Sequence, residues 1–335
     1  MDLDAYFAEQ SRRHRFSGSV FVGQVGRTLL DSGYGDADRG TGRPNTPSTT
    51  FQIASVSKQF TAAAILLLQE RGALCVQDRI RAWVSGCPEE WEPITVHHLL
   101  THTSGIGHWQ DFPELNLCEP NTRENLLRAF QRAPLTFSPG AGWAYSSPGY
   151  VLLAHIVEQV SGEPYAAFLR RGIFEPLGMT RTGAGSSAPY PEQRAVGYAG
   201  KKPEPSFELD TVGIGAGDIW ATTGDVARWD AALATPGRLL SAESLRAMFF
   251  PYAATTEGFF DIPNAQYGYG WFLCEVAGHP ISLHMGDNAG FGCLNARFPD
   301  LDTIAILLSN DEDNDVWKLG RGLVDEVLGN AAREG

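Results

Sequence analysis

The sequence has little positive charge and lacks a long apolar run. It contains only four lysines, its net charge is −13, and Lys and Arg form no local basic run. A nucleic-acid-binding protein usually carries a basic patch that neutralises phosphates, so we expect no nucleic-acid partner.

No apolar stretch approaches the ~20 residues of a membrane-spanning helix. The N-terminal residues lack the basic start and apolar core of a secretory signal. We therefore expect a cytoplasmic protein if the chain is full length, and a periplasmic or secreted protein if the chain was trimmed.

Cysteine is scarce and unpaired in sequence. The sequence has five cysteines and no C-x-x-C pair, which argues against a disulfide framework and against a zinc site. We interpret these cysteines as buried small hydrophobic side chains. They are Cys75, Cys87, Cys118, Cys274 and Cys293. Three histidines cluster at His97, His98 and His102, but no carboxylate or cysteine spacing supports a metal site there. We predict neither a metal nor a cofactor.

Several catalytic signatures are absent as well. The sequence contains no G-x-S-x-G, no H-E-x-x-H and no G-x-x-x-x-G-K-[ST]. These absences remove the local marks of α/β-hydrolases, zincins and P-loop proteins. The glycine-rich run at residues 213–217 resembles a dinucleotide fingerprint, but the long helix which that motif needs does not follow it.

Hydrophobic periodicity divides the chain into strand-rich ends and a helical middle. We predict helices at about residues 2–14, 55–71, 95–101, 124–132, 148–160, 165–174 and 315–328, and a loop at 40–48. We predict strands at residues 19–22, 28–34, 267–275, 281–285, 292–298 and 303–309. Strands at both ends most simply pair into one antiparallel sheet, which predicts an α+β fold. The predicted sheet domain comprises residues 1–74 and 205–335, the mostly helical domain residues 75–204, and the active site lies at their junction.

The segment Ser55-Val56-Ser57-Lys58 carries the candidate chemistry. Helix positions three apart share one face, so the Ser55 hydroxyl and the Lys58 amine can meet. The start of a helix also offers free N–H groups that favour an oxyanion. Serine needs a base to act as a nucleophile, and lysine can be that base if burial lowers its pKa. Taken alone, the motif is weak, and an N-cap serine followed by a solvated lysine is the favoured interpretation of it.

Further stretches accompany this motif in a fixed order. They cover residues 51–58, 99–106, 139–140, 145–150, 173–179, 215–222 and 284–291. Together they resemble the serine β-lactamase and penicillin-binding-protein-like superfamily, in the branch that holds class C β-lactamases, D-amino-acid peptidases and related esterases. The resemblance spans about residues 15–330 and implies a β-lactamase-like fold, with an antiparallel sheet flanked by helices.

The resemblance also implies roles for individual residues. Ser55 would be the nucleophile, Lys58 its base partner, and Tyr145 the group that relays the proton, as base toward Ser55 and then as acid toward the leaving group. The sequence does not decide whether Lys58 or Tyr145 takes the first proton. The backbone N–H groups of Ser55 and Asp287 would form the oxyanion hole. Residues predicted to contact substrate are Ser147, His284, Gly286 and Asn288. Structural alternatives remain for three of these positions: Tyr145 as a core tyrosine, Ser147 as the N-cap before Pro148, and His284 as a strand residue that bonds a backbone carbonyl.

Two departures from the family pattern bear on the substrate. Position 147 is Ser where the family usually has Asn, and position 284 is His where penicillin binders often have Lys. Ser reaches less far toward an acylamide, and a largely neutral His holds a carboxylate poorly. We therefore expect an enzyme for a small ester or amide, an esterase or D-amino-acid peptidase before a β-lactamase. A catalytically inactive relative that binds a ligand or a protein partner is the alternative. The sequence does not give the natural substrate or the oligomeric state.

Overall fold

The computed structural model describes residues 2–13, 15–255, 264–276 and 278–323. A helical segment at residues 316–323 closes the described part, so the rest of the helix expected at 315–328 lies outside it. The other helices are α1 (Leu3–Arg12), α2 (Ser57–Glu70), α3 (Val96–Leu100), α4 (Arg123–Arg132), α5 (Ser147–Ser161), α6 (Tyr165–Leu169), α7 (Glu175–Leu177), α8 (Thr223–Leu233) and α9 (Ala242–Met248). A π-helical turn, Arg170–Phe174, joins α6 to α7.

Fifteen strands lie in the described ranges. They are β1 (Gly18–Gln24), β2 (Arg27–Tyr34), β3 (Asp36–Asp38), β4 (Arg43–Pro44), β5 (Phe51–Gln52), β6 (Gly183–Ala184), β7 (Tyr198–Ala199), β8 (Lys202–Pro203), β9 (Ile219–Ala221), β10 (Ala253–Ala254), β11 (Gln266–Tyr267), β12 (Phe272–Val276), β13 (His279–Asn288), β14 (Phe291–Phe298) and β15 (Thr303–Ser309).

Eight of these strands form one antiparallel sheet in the order β10-β11-β12-β13-β14-β15-β1-β2. The first and last of the described strands are neighbours in this sheet, where Val20 of β1 lies opposite Leu307 of β15. The α+β prediction is confirmed. A small sheet of β5, β9 and β6 lies apart and joins the segment before α2 to the segment before α8.

The sheet separates two apolar cores, because alternate residues of each strand point to opposite faces. On β14, Cys293 belongs to the core with α2, α5 and α8, and Leu294 and Ala296 belong to the core with α1 and the 316–323 segment. All eight residues of β14 are buried, since both faces are covered. The predicted division at residues 74/75 and 204/205 stays a prediction.

Helix α2 is buried around its whole circumference because it lies inside the molecule. Every residue from Ser57 to Leu68 is buried, and α2 packs on α5 and α9. A helix buried on all sides needs no polar face. It ends before Gly72, whose φ of +68° supplies the left-handed turn, as its position predicts.

Local details differ from the sequence predictions. The strand expected at 267–275 is two strands, because the Gly268–Trp271 turn brings Gly270, at φ +78°, against the start of α2. A β-carbon at Gly270 would lie 2.9 Å from the Lys58 carbonyl oxygen. The 40–48 loop contains strand β4, which pairs with β3.

The interpretation of all five cysteines as buried is wrong. Cys293 is buried, but Cys75 and Cys118 are exposed because they lie in connecting segments that leave the core. All five are unpaired thiols. Among the described residues, no helix is long and apolar enough to cross a bilayer.

Candidate active site

Ser55 lies in a tight 3₁₀ turn, Ala54–Val56, directly before α2. The preceding residue, Ala54, has a φ of +44°, a left-handed conformation that costs a non-glycine residue about 1–2 kcal/mol. Such strain persists where the surrounding structure imposes it, and it concentrates at functional sites. Ser55 caps no helix, because the N-cap of α2 is Val56 and no side chain caps it. Its hydroxyl instead contacts Lys58.

Lys58 is the centre of the site. Its Nζ lies 2.9 Å from Ser55 Oγ, 3.2 Å from Ser147 Oγ and 2.7 Å from the Ala216 carbonyl oxygen. The carbonyl can only accept, so it takes one N–H of the amine, and Ser147 Oγ can take another. A neutral amine then keeps its lone pair for the Ser55 hydroxyl proton. The contacts therefore suit a neutral Lys58 that accepts from Ser55.

The environment of Lys58 favours that neutral form. The side chain is completely buried, and burial holds its pKa well below the usual range, against the opposing charges of Asp218 and Cys293. Withdrawal from water penalises an ammonium more than a neutral amine. The solvated-lysine alternative is therefore wrong for Lys58.

Tyr145 lies beside both groups. Its ring centroid is 4.9 Å from Lys58 Nζ, and Ser55 hydrogen-bonds its hydroxyl. Burial raises the pKa of Tyr145 well above its ordinary value, and the Ser55 hydrogen bond opposes that shift. The phenol consequently stays protonated near neutral pH and can donate a proton. The structure thus brings together the three residues predicted to carry the chemistry.

Two imidazoles hold the segment that carries Tyr145. The Ser146 N–H donates to His102 Nδ1, and the Ser147 N–H donates to His108 Nδ1, both over 3.1 Å. Because each Nδ1 accepts, neither ring can be doubly protonated. The His102 ring also packs on Tyr145, with centroids 4.4 Å apart. The sequence analysis weighed His102 only as a metal ligand and missed His108.

Ser147 contacts Lys58 but is not the N-cap of α5. Ser146 fills that position, since its Oγ accepts from the Gly149 N–H over 3.1 Å. The two neighbouring serines are indistinguishable in sequence, and the choice depends on the extended backbone of Ser146. Ser147, one residue later, lines the cleft and accepts from Lys58.

The glycine-rich turn before β9 supplies the Ala216 carbonyl. Asp218, buried behind it, accepts the Gly215 N–H over 3.0 Å and so fixes the turn. Burial raises the pKa of Asp218 to about 8. The sequence analysis treated this stretch as structural, and a main-chain acceptor gives no side-chain signal that would have revealed it.

Strand β13 passes directly beside the nucleophile. A β-carbon built on Gly286 would lie 2.5 Å from the Ser55 nitrogen and 2.9 Å from Ala54 Cβ. Within the described residues, no acceptor is bound to the Ser55 N–H. Asp287 follows Gly286 on the strand and lines the cleft. The oxyanion pair of Ser55 and Asp287 N–H groups stays a prediction that this close approach supports.

His284 and Asn288 are placed differently from the expectation. His284 is completely buried, its Nδ1 lies 2.5 Å from the Met285 carbonyl oxygen, and its Nε2 lies 3.0 Å from the Tyr267 hydroxyl. It does not line the cleft in the described part of the chain, so a direct substrate contact is not supported. Asn288 lines the cleft, but its amide donates to Gln52 Oε1 and the Gly217 carbonyl, which ties β13 to the turn.

The cleft that opens onto Ser55 has a volume of about 550 Å³. Its walls are mostly apolar and aromatic, with contributions from Trp109, Leu117, Trp143, Phe207 and Val212. Among the described lining residues none is Lys or Arg, and Asp287 is the one carboxylate. Burial and then the Glu312 carboxylate raise the pKa of Asp287. The cleft therefore presents a neutral-to-acidic surface.

Comparison with known proteins matches this architecture. The family model described as Beta-lactamase matches residues 3–328. The chain belongs to the Beta-lactamase family. It is 31% identical to penicillin-binding protein 4* of Bacillus subtilis (strain 168) over 333 residues, which cover 93% of this chain and 72% of that protein. The resemblance stated from the sequence is confirmed.

Two further family relatives have informative names. The esterase EstB of Burkholderia gladioli is 38% identical over 230 residues, which cover 63% of this chain and 58% of that protein. The D-amino acid amidase of Ochrobactrum anthropi SV3 superposes with a TM-score of 0.82 at 25% identity, and the match covers 99% of this chain and 98% of that one. The family thus includes proteins named as hydrolases of different bonds.

Gly286→Ala is expected to lower kcat/KM for ester hydrolysis about 10²–10³-fold. The new methyl group cannot fit 2.5 Å from the Ser55 nitrogen, so β13 and a predicted oxyanion donor must move apart. The measurement is steady-state kinetics on a p-nitrophenyl ester. Gly224→Ala, on α8, where a β-carbon would meet only Arg228 Nη1 at an ordinary contact distance of 3.7 Å, is the matched control and should keep full activity. Unchanged turnover by Gly286→Ala would contradict the close approach.

Acid is expected to destabilise the protein through His108. Burial lowers the pKa of His108 to about 4, whereas an unfolded histidine titrates near 6.5. The unfolded chain therefore binds more protons between these values, and stability present above about pH 6.5 is lost as the pH falls toward about 4. In His108→Asn the amide oxygen can still accept from Ser147 without titrating. Thermal unfolding from pH 7.5 to 4.5 should show a shallower pH slope for this variant, and an identical slope would refute the role of His108.

Proposed function

We propose that this protein is a serine hydrolase that cleaves small esters or amides through an acyl-enzyme on Ser55. One observation carries the proposal. The Lys58 amine is fully buried, lies 2.9 Å from Ser55 Oγ, and has a pKa that burial lowers well below its usual range. A nucleophile needs such a base within hydrogen-bond reach. The relatives named as an esterase and an amidase support this reaction class.

The pKa of Lys58 is lowered and that of Tyr145 is raised, and these opposite shifts support a different proton-transfer role for each residue. Lys58, with its lowered pKa, takes the Ser55 proton as Oγ attacks the carbonyl carbon. The Ser55 and Asp287 N–H groups stabilise the resulting oxyanion. Tyr145, with its raised pKa, donates its proton to the leaving group and is reprotonated by Lys58. Water then hydrolyses the acyl-Ser55 ester by the reverse proton path.

The cleft favours substrates that carry no carboxylate. No cationic side chain lines it in the described residues, and Asp287 would repel an anion. Like charges repel each other, and because Asp287 is exposed, solvent screens part of this repulsion. β-Lactams and C-terminal peptides carry a carboxylate near the scissile bond, whereas simple esters and amino-acid amides do not. We therefore rank ester and D-amino-acid amide hydrolysis before β-lactam hydrolysis.

A matched pair of substrates tests this ranking. p-Nitrophenyl butyrate and the p-nitrophenyl monoester of succinate are similar in size, but only the second has a carboxylate. We expect kcat/KM to favour the butyrate about tenfold or more, and Asp287→Asn to narrow the gap. D-Alaninamide and a chromogenic cephalosporin extend the panel. Faster turnover of the succinate ester or the cephalosporin would overturn the ranking, and no turnover of any substrate would favour an inactive ligand-binding relative.

A further inference from the structure

Tyr145 lies in a segment that has no regular secondary structure. The segment comes just before α5, whose N-cap is Ser146, and Tyr145 belongs to neither a helix nor a strand. Helix or strand hydrogen bonds therefore do not fix its backbone, and the place of its hydroxyl depends on contacts with other segments. Those contacts matter because a misplacement of about 1 Å in an active site can lower the rate about 10²-fold.

His102 holds this segment on both sides of Tyr145. The Ala144 N–H donates to the His102 carbonyl oxygen over 3.1 Å, and the Ser146 N–H donates to His102 Nδ1 over 3.1 Å. The imidazole also packs against the phenol, with ring centroids 4.4 Å apart. One residue thus contacts the backbone before Tyr145, the backbone after it and its ring.

His102 has an unfavourable conformation and an unfavourable environment. It follows the C-cap of α3 with a φ of +59°, a left-handed position that favours glycine or asparagine. Because Nδ1 accepts from Ser146, the neutral ring carries its proton on Nε2, which is buried and has no hydrogen-bond partner among the described residues. A glycine would avoid the first cost and an apolar side chain the second. Such costs concentrate at functional sites, which points to a specific use of the imidazole.

The surroundings of His102 keep the ring neutral. The residue is 1% exposed, and burial, followed by the neighbouring Lys58, His284 and His108 side chains, holds its pKa well below the ordinary value. A neutral imidazole retains the Nδ1 lone pair that accepts from Ser146. The contact on the segment after Tyr145 is therefore maintained near neutral pH.

We propose that His102 is the positioning residue that holds the Tyr145 hydroxyl in place to protonate the leaving group. This rests on the proposed function, in which Tyr145 gives its proton to the departing atom as the bond to the carbonyl carbon breaks, and Lys58 then reprotonates the phenolate. A departing alkoxide or amine needs that proton, whereas p-nitrophenolate is a stable anion and departs without it. Loss of His102 should therefore slow most those substrates whose leaving group needs a proton.

Two esters with the same acyl group test this dependence. p-Nitrophenyl butyrate releases a stable phenolate, and p-nitrobenzyl butyrate releases an alcohol of similar size. His102→Leu removes the Nδ1 acceptor, so kcat/KM should fall about 10²-fold for the benzyl ester and less than about tenfold for the phenyl ester. His102→Asn, whose amide oxygen can replace Nδ1 and whose backbone tolerates a positive φ, should recover most of the loss. If the leucine variant does not fold, His102→Gly removes the acceptor without backbone strain.

Two controls separate positioning from a general loss of structure. His98→Leu removes another Nδ1 that accepts a backbone N–H, that of Thr95 over 3.2 Å, at a residue that does not line the cleft. It should leave the ratio between the two esters unchanged. In Tyr145→Phe, which lacks the hydroxyl, adding His102→Leu should not change that ratio further.

The outcomes distinguish this inference from the proposed function. Equal losses on both esters in His102→Leu, when Tyr145→Phe does discriminate between them, would overturn the positioning role alone. A Tyr145→Phe protein that does not discriminate between the esters would overturn both the positioning role and the proton path of the proposed function.

Discussion

Ser55→Ala is expected to lower kcat/KM for ester hydrolysis by about 10⁵–10⁶, the scale seen when a serine nucleophile is removed. The methyl group leaves no atom to form the acyl-enzyme, although the Lys58 amine and the cleft remain. Binding of a non-hydrolysable ester analogue should change little, because the apolar walls that hold it are intact. The loss should therefore appear in kcat rather than KM.

The matched control for this variant is Ser138→Ala, at an exposed serine that does not line the cleft. It should retain full turnover. Comparable activity in the Ser55→Ala and Ser138→Ala proteins would show that another group performs the reaction.

Lys58→Met is expected to lower kcat about 10²–10⁴-fold, the range for loss of a general base. Methionine is similarly long and unbranched, so it occupies the buried channel without the amine. Wild-type activity should fall as the pH drops through the lowered pKa of Lys58, because the ammonium form cannot accept the Ser55 proton. The variant should lack this acidic limb. The pH–rate profiles of both proteins provide the measurement.

Lys318→Met, at an exposed lysine, controls for the loss of one positive charge. Its pH profile should match that of the wild type. An acidic limb that persists unchanged in Lys58→Met would assign the titration to a different residue.

Much of the fold could be predicted because its pattern is local. The apolar-rich runs of β14 and β15, and the apolar residues at helical spacing in α2 and α5, mark segments that are buried almost throughout. The antiparallel sheet followed from strands at both ends of the chain. The split between β11 and β12 was missed because it depends on how closely Gly270 approaches α2, a contact between distant segments.

The site was predictable where side-chain identity carries the signal. Ser55, Lys58 and Tyr145 stand in recognisable motifs, and the structure brings them together. The left-handed Ala54 and the Ala216 carbonyl acceptor were not predictable, since they are properties of the backbone.

His284 shows the limit of transferring a role by position. Its strand was predicted, but burial lowers its pKa to about 3 and its ring is held by Tyr267 behind the cleft wall. A motif fixes which residue stands at a position, whereas the neighbours of that residue decide whether it reaches the substrate.

Covalent labelling tests the central claim most directly. The native protein is treated with a fluorophosphonate at neutral pH, digested, and the adduct is located by tandem mass spectrometry. The account predicts one stoichiometric adduct on the Ser55 hydroxyl, formed much more slowly in Lys58→Met. A modified residue other than Ser55, in protein that loses its esterase activity on labelling, would contradict it.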